Sequence, residues 1–243
     1  MKAIFLYDYT GIMAKPWLEA GYECWCFDGQ HEDGITRDGN HVKVGMWFDA
    51  YNISNHCDDI FNVVGDGVSF VFGFPECTDV AVSGAAHFKK KLEANPSCQW
   101  EALQLAHLVR LVGDKYNCVW GFENPVSVFA TLWKESDFRF HPYDYGGYLP
   151  ADDIHPTYPE YIKPRDAYPK KTCIWCGNGF VEPARKPVNV EAGYSDQHKK
   201  LGGKSLKTKN IRSATPRGFS IAVFEANKSS DKKAEQQLEL PYN

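Results

Sequence analysis

Apolar residues fall along this chain in short runs that end on acids, prolines or small residues. "KAIFLYDY" (2–9) predicts a buried strand, bounded by Thr10 and Gly11. "IMAKPWLEAG" (12–21) predicts a short helix stopped by Gly21, and "YECWCFD" (22–28) a second strand ending in Asp28. Residues 29–45 are polar with glycines and predict a loop. "SFVFGFP" (69–75) predicts another buried strand, ending at Pro75. Residues 99–113 carry Trp100, Leu103, Leu108 and Leu111 at helical spacing, which predicts a helix closed by Gly113. "YNCVWGFENP" (116–125) and "KKTCIWCG" (170–177) predict two more strands. The Tyr- and Pro-rich stretch 134–170 predicts loops or short strands, and the charged tail from Lys228 to Asn243 a frayed or helical end. Strands alternating with helices imply an α/β fold, a mostly parallel sheet with helices on both faces. Such sheets bind ligands outside the carboxyl ends of their strands. Asp8 to Gly11, Asp28, Cys77 and Glu123 all fall there.

Composition narrows the picture little. The 243 residues are 43% hydrophobic and 24% charged, as in an ordinary globular chain, and allow one large domain or one domain with an appendage. No apolar run reaches membrane-spanning length, so no membrane association is expected. "MKAIFLYDYTG" places an acid and a Gly where a signal peptide would continue its apolar core, so no export signal is expected. The eight cysteines are therefore expected to be reduced thiols in a cytoplasmic protein. Charge changes the picture more. The net charge is −4, yet from Arg185 to Arg217 there are nine Lys/Arg and two acids, Glu191 and Asp196. A basic segment is attached to an acidic body.

The chemistry centres on "FGFPECTDVAVSGA", where Cys77 follows an apolar run and precedes small and polar residues. A buried structural cysteine needs no such setting, whereas a nucleophile held at the mouth of a sheet does. A thiolate is intrinsically nucleophilic near neutral pH. Near the start, "YDYTGIMAKPWLEAGYECWCFD" is a strand, a Gly turn, a helix, a strand and an acid. That arrangement suits an adenosine-type cofactor or is an ordinary βαβ unit. The G-x-G-x-x-G of dinucleotide folds is absent, which argues against NAD.

In order along residues 4–227, these stretches resemble the motifs of the cytosine-C5 DNA methyltransferase family. "DYTGIMAKPWLEAGYE" resembles the first motif, which binds S-adenosylmethionine; this implies Asp8, Tyr9, Thr10, Gly11 and Ile12 at the cofactor. Asp28 falls where an acid contacts the ribose. Asp59 and Ile60 of "DDIF" are similar to an acid–Ile pair near the adenine. "GFPECTDVAVSGA" resembles the catalytic loop, with Cys77 as nucleophile and Phe74 and Pro75 beside the cofactor. "FENPV" resembles the Glu-Asn-Val motif, with Glu123 at the cytosine ring. "RSATPRGFSIAVF" resembles a late motif that supports the target-recognition region. The resemblance implies a Rossmann-like S-adenosylmethionine-dependent methyltransferase fold, DNA as partner, and base flipping. It divides the chain into a catalytic and cofactor domain (1–176), a short basic recognition segment (177–211), a return to the catalytic domain (212–227) and a tail (228–243).

The chain departs from that family in three places. Glu76 separates Pro75 from Cys77, and Thr78 follows where Gln is usual. The family's Gln-x-Arg-x-Arg motif is missing; Lys170 and Lys171 stand near its place. The recognition segment is short, as in compact methyltransferases encoded by bacteriophages, which would act in the host bacterial cytoplasm. Lys204, Lys207, Lys209 and Arg212 of this segment suit a phosphate backbone. Two alternatives stay open: a C5-pyrimidine modifying enzyme acting on RNA or a free nucleotide, and a catalytically idle nucleic-acid-binding protein on the same fold. Cys173 and Cys176 form C-x-x-C, which reads as alternating strand positions in preference to half a zinc site. "HPYDYGG" (141–147) either lines a base pocket or packs. "QLEL" in the tail (237–240) resembles peptides that dock on a bacterial sliding clamp, or packs back on the domain.

Overall fold

The computed structural model describes residues 1–190, 193, 195–203 and 205–229. Lys204 and the clamp-like peptide of the tail lie outside the described residues. The elements are β1 (Lys2–Leu6), α1 (Lys15–Glu19), β2 (Glu23–Asp38), β3 (His41–Gly45), α2 (Ile53–Val64), β4 (Val68–Gly73), α3 (Phe88–Ala94), α4 (Cys98–Lys115), β5 (Val119–Pro125), α5 (Phe129–Leu132), β6 (Phe138–Phe140), β7 (Thr172–Gly177), α6 (Asp196–Lys200), α7 (Leu206–Ser213) and α8 (Arg217–Asn227). The sheet order is β3-β2-β1-β4-β5-β7-β6, with β7 antiparallel to both its neighbours and the rest of the central strands parallel. The order 3-2-1-4-5 is compatible with a Rossmann-like fold, in which the crevice opens where β1 separates β2 from β4.

The period-two pattern of the strands builds two cores, one on each face. Ile4 and Leu6 of β1 and Val71 of β4 face α2 and α4, together with Ile60, Leu103 and Val109. Ala3 and Phe5 of β1 and Phe70 and Phe72 of β4 face α1 and α8, with Trp17, Phe219 and Val223. Trp17 stacks on Phe70 with ring centroids 4.1 Å apart. Each such aromatic, fully buried, contributes about 2–3 kcal/mol. Among the described residues no helix is long and apolar enough to cross a membrane.

Three expectations are corrected. Residues 29–45 are not a loop. The first half of β2 runs parallel to β3 (Cys24 opposite His41, Asp28 opposite Gly45), and its second half folds back antiparallel on the same strand (Gly34 opposite Gly45, Asp38 opposite His41). Polar side chains suit this outer ribbon because its second half faces solvent. The second correction is that Gly113 does not close α4, which continues to Lys115. Gly113 instead lets the helix lie on β5, since a Cβ there would sit 2.5 Å from the Trp120 side chain. Trp100 is also not on the buried face; Ala102, Leu103, Ala106, Val109 and Gly113 form that stripe. The stretch 134–170 holds the short β6 and two 3-10 turns, as its prolines predict.

Candidate active site

At the end of β1 the chain turns sharply. Tyr7 takes φ 60°, a left-handed conformation uncommon for a large residue. Its ring holds it there: the hydroxyl donates to the Leu105 carbonyl (2.9 Å) and the edge meets Phe48 (5.3 Å between centroids). Asp8 follows, only 2% exposed. Its Oδ1 accepts from the Gly11 amide (2.9 Å) and the Thr10 hydroxyl (3.2 Å), while Oδ2 has no partner. Burial pushes its carboxyl up to about 6. Gly11 supplies the φ of 66° that closes the turn. Ile12 offers its carbonyl to the Ser220 hydroxyl (2.9 Å), which ties the turn to α8. Tyr9 is exposed beside His31, with 5.5 Å between ring centroids. Where β2 finishes its parallel run and before it folds back, half-buried Asp28 accepts from the Gln30 amide (2.8 Å) and, through the Tyr9 amide, from the β1 turn; burial raises its carboxyl.

Asp59 and Ile60 are not brought to this crevice. They lie within α2, with Asp59 exposed and Ile60 wholly buried in the core. The segment after β3 does reach the crevice end of the sheet. Trp47, 77% exposed, lays its ring across Gly29, next to Asp28. Sequence reasoning missed Trp47. The signal was an aromatic placed just after a strand, and reading 29–45 as loop concealed that strand.

The ends of β4 and β5 form the second half of the site. The Phe74 amide donates to the Leu6 carbonyl (3.0 Å), and the buried Pro75 offers its carbonyl to the Asn124 side chain (3.1 Å). The Cys77 carbonyl accepts from the Val80 (3.2 Å) and Ala81 (2.9 Å) amides, closing a tight turn. The loop beyond pairs with the segment after β5: Val82 donates to Val126 (2.9 Å), Val128 to Val80 (3.0 Å), and Ala81 bridges Ser127. These bonds stitch the Cys77 loop to the strand that carries Glu123, so two motifs 46 positions apart share one recess. Cys77 and Glu123 are both half-buried. Glu123 keeps Oε1 shut from solvent without a partner.

The electrostatics follow from this packing. Burial, then the Glu123 carboxylate, pushes the Cys77 thiol up; Glu76 pushes the same way and Lys170 opposes them. Burial raises Glu123, and Lys170 again opposes. Glu76 itself points outward, where it accepts from the Thr78 hydroxyl (2.6 Å). Of the two lysines near the missing Arg motif, Lys170 is the one whose charge reaches the thiol and the carboxyl. Lys170 also donates to the Arg212 carbonyl (3.0 Å). Lys171 is exposed, and its charge is felt at Cys173 and His141.

The basic segment folds against this site. Asn210 of α7 donates to the Gln30 side chain (3.3 Å), while the end of α7 meets Lys170. The helix thus reaches from the end of β2 to the recess, and Lys207, Lys209 and Arg212 on it are exposed. Beneath lies a buried polar layer that the sequence did not signal. Arg217 forks onto Asp153 (2.7 and 2.5 Å), Asp166 accepts from the Gly218 amide (2.9 Å), and Tyr168 lies beside Gln197 within reach of the Glu123 charge. These partners come from the Tyr- and Pro-rich stretch, α6 and α8. Cys173 packs in one core and Cys176 against the other, so the C-x-x-C pair straddles the sheet. Among the described residues no cluster of His, Cys, Asp or Glu is arranged to hold a metal ion.

No protein-family model and no curated protein matches the chain. The chemistry rests on the residues themselves. The β1–β2 end holds two carboxylates that already occupy the turn amides, which leaves no cradle for phosphate. The β4–β5 end holds a thiol and a carboxyl that burial pushes upward, with the Lys170 charge opposing both shifts.

Proposed function

We propose that this protein is a cytosine-C5 methyltransferase that acts on DNA with S-adenosylmethionine as methyl donor. One observation carries the reading: the loop of Cys77 is stitched to the end of β5, so that a half-buried thiol and a half-buried carboxyl lie together under the charge of Lys170. The residues at the β1–β2 end fit the cofactor. Asp8 offers a buried, unpartnered oxygen to a cationic ligand, and Asp28 an acid for ribose hydroxyls. S-adenosylmethionine supplies an electrophilic methyl group on a sulfonium centre.

In this mechanism the Cys77 thiolate adds to carbon 6 of a flipped-out cytosine, forming a carbon–sulfur bond. The displaced electron pair makes carbon 5 nucleophilic. Glu123, whose carboxyl burial pushes upward, donates at ring nitrogen 3 and balances the charge that develops there. Lys170 favours the thiolate against burial and the Glu76 charge. Once carbon 5 carries the methyl group, its proton passes to solvent water, the carbon–sulfur bond breaks with its electron pair leaving on the Cys77 thiolate, and ring nitrogen 3 returns its proton to Glu123.

The compact segment of α6 and α7 also favours a second reading, the same chemistry on single-stranded nucleic acid or a nucleotide. Methyl transfer from labelled cofactor to duplex DNA, single-stranded DNA, RNA and dCMP separates the two. Cys77→Ser is expected to abolish transfer and leave cofactor binding nearly intact. Transfer near the wild-type rate in Cys77→Ser would remove the nucleophile. A covalent adduct on 5-fluorocytosine DNA is expected for a working enzyme, because fluorine cannot leave carbon 5 as a proton does. No adduct and no transfer to any of the four substrates would leave an idle nucleic-acid-binding fold.

A further inference from the structure

Two neighbouring residues with side chains, Arg165 and Asp166, hold φ of 56° and 49°. A left-handed pair without glycine brings each Cβ against a carbonyl oxygen and persists only where its surroundings over-determine it. Here they do. Asp153, its side chain 6% exposed, accepts from the Arg165 amide (2.8 Å) and from both arms of the Arg217 fork. Arg165 donates through Nε to the Gly146 carbonyl (3.3 Å). Asp166, wholly buried, accepts from the Gly218 amide (2.9 Å), and Arg217 lies 3.9 Å from its other oxygen. Gly146 and Gly218 let the segments close on one another. A Cβ on Gly146 would sit 2.3 Å from the Arg165 carbonyl oxygen, and one on Gly218 2.3 Å from that of Tyr145.

The chain beyond the turn is short and stiff. The Tyr168 amide donates to the Asp166 carbonyl (2.8 Å), the Tyr168 side chain is buried, and Pro169 fixes its own φ. Lys170 comes next, and β7 begins at Thr172. A change of hand at residues 165–166 therefore re-aims Lys170, the cation whose charge reaches both Cys77 and Glu123. We propose that Asp153 and Arg217 are positioning residues for Lys170: their fork holds the left-handed turn, and the turn sets where the Lys170 ammonium stands against Cys77 and Glu123. This rests on the methyl-transfer reading above and deepens it, because it assigns the buried polar layer a part in the recess that no reacting atom touches.

The test is alkylation of the full-length protein by iodoacetamide across pH, with Cys77 followed by peptide mass spectrometry, in wild type, Asp153→Asn, Lys170→Met and the double variant. The readout needs no methyl transfer. Asp153→Asn leaves one acceptor oxygen and no charge where Arg217 and the Arg165 amide use two oxygens. Both single variants are expected to raise the pH midpoint of Cys77 alkylation and to slow it at pH 7.5 by about tenfold, and the double variant to lose no more than Lys170→Met alone. Cys24 and Cys26, wholly buried, stay unreactive while the fold holds. If they react in Asp153→Asn, Arg217→Lys, which keeps the charge and loses the fork, is read by the same criteria. A wild-type midpoint in the folded variant, or losses that multiply in the double variant, would overturn the positioning role. The expected pattern with no methyl transfer to any nucleic acid or nucleotide would uphold that role and overturn the methyltransferase reading.

Discussion

The ends of β1 and β2 and the ends of β4 and β5 both carry carboxylates, and the fold treats the two sets in opposite ways. Asp8 and Asp28 are tied by backbone amides of their own turns, and His31 lies near enough to Asp28 to act on its charge. Glu123 has one sealed oxygen without a partner, a thiol in the same recess, and Lys170 close enough to act on both. The first set is satisfied locally by its own turns. The second sets a thiol and a carboxyl against each other under the charge of one lysine.

The sharpest way to break this comparison is Asp8→Asn. With a folded value of about 6 against 3.8 in the unfolded chain, the unliganded protein binds the extra proton between those limits. The burial penalty is therefore absent below pH 3.8, where Asp8 is neutral in both states, and grows until it is complete above about pH 6. Asn keeps the acceptor for Gly11 and removes the charge. The variant is expected to gain about 3 kcal/mol at pH 7 and almost nothing at pH 4, while losing cofactor affinity. Urea unfolding at the two pH values reads the difference; equal stability of wild type and variant at pH 7 would mean Asp8 bears no such penalty.

On the reacting side, Glu123→Gln removes the proton donor and keeps the shape. Single-turnover transfer is expected to slow by roughly a hundredfold or more. An unaltered rate would make Glu123 a strand end only. The smallest effect sharpens the comparison most. Without the Lys170 charge the Cys77 thiol titrates at a higher pH, so the acid limb of the rate profile moves to higher pH. Lys170→Met is expected to lower the rate at pH 7 by about tenfold and shift that limb, and Lys171→Met to do neither. Equal shifts in both variants would show that the recess does not distinguish the two lysines.

The parts of this architecture that are local were legible in the chain. β1, β4, β5 and β7 show as short apolar runs because both faces of those strands are buried. The turn after β1 shows because Thr10 and Gly11 interrupt the pattern. The β3 strand was not legible. It is five residues long, and its outer neighbour is a polar ribbon that alternates with nothing. α2 went unread because its buried positions are only Cys57, Ile60 and Val64, a stripe too thin to stand out among polar residues. That gap also hid that Asp59 and Ile60 lie within a helix and not at a strand end.

What the sequence by itself determined is where five apolar strands lie and which residues stand in or just after their last turns: Asp8, Asp28, the Pro75–Cys77 stretch and Glu123. Strand ends are set by local chemistry, since an acid, a proline or a glycine stops an apolar run wherever it stands. Only the tertiary structure decided which of them meet. Cys77 joins Glu123 because the residues after each strand hydrogen-bond to one another. Lys170, and not Lys171, acts on them because β7 enters the sheet antiparallel beside β5 and one lysine of the pair turns to the recess. Such pairings depend on contacts between residues tens of positions apart, and no local pattern carries them.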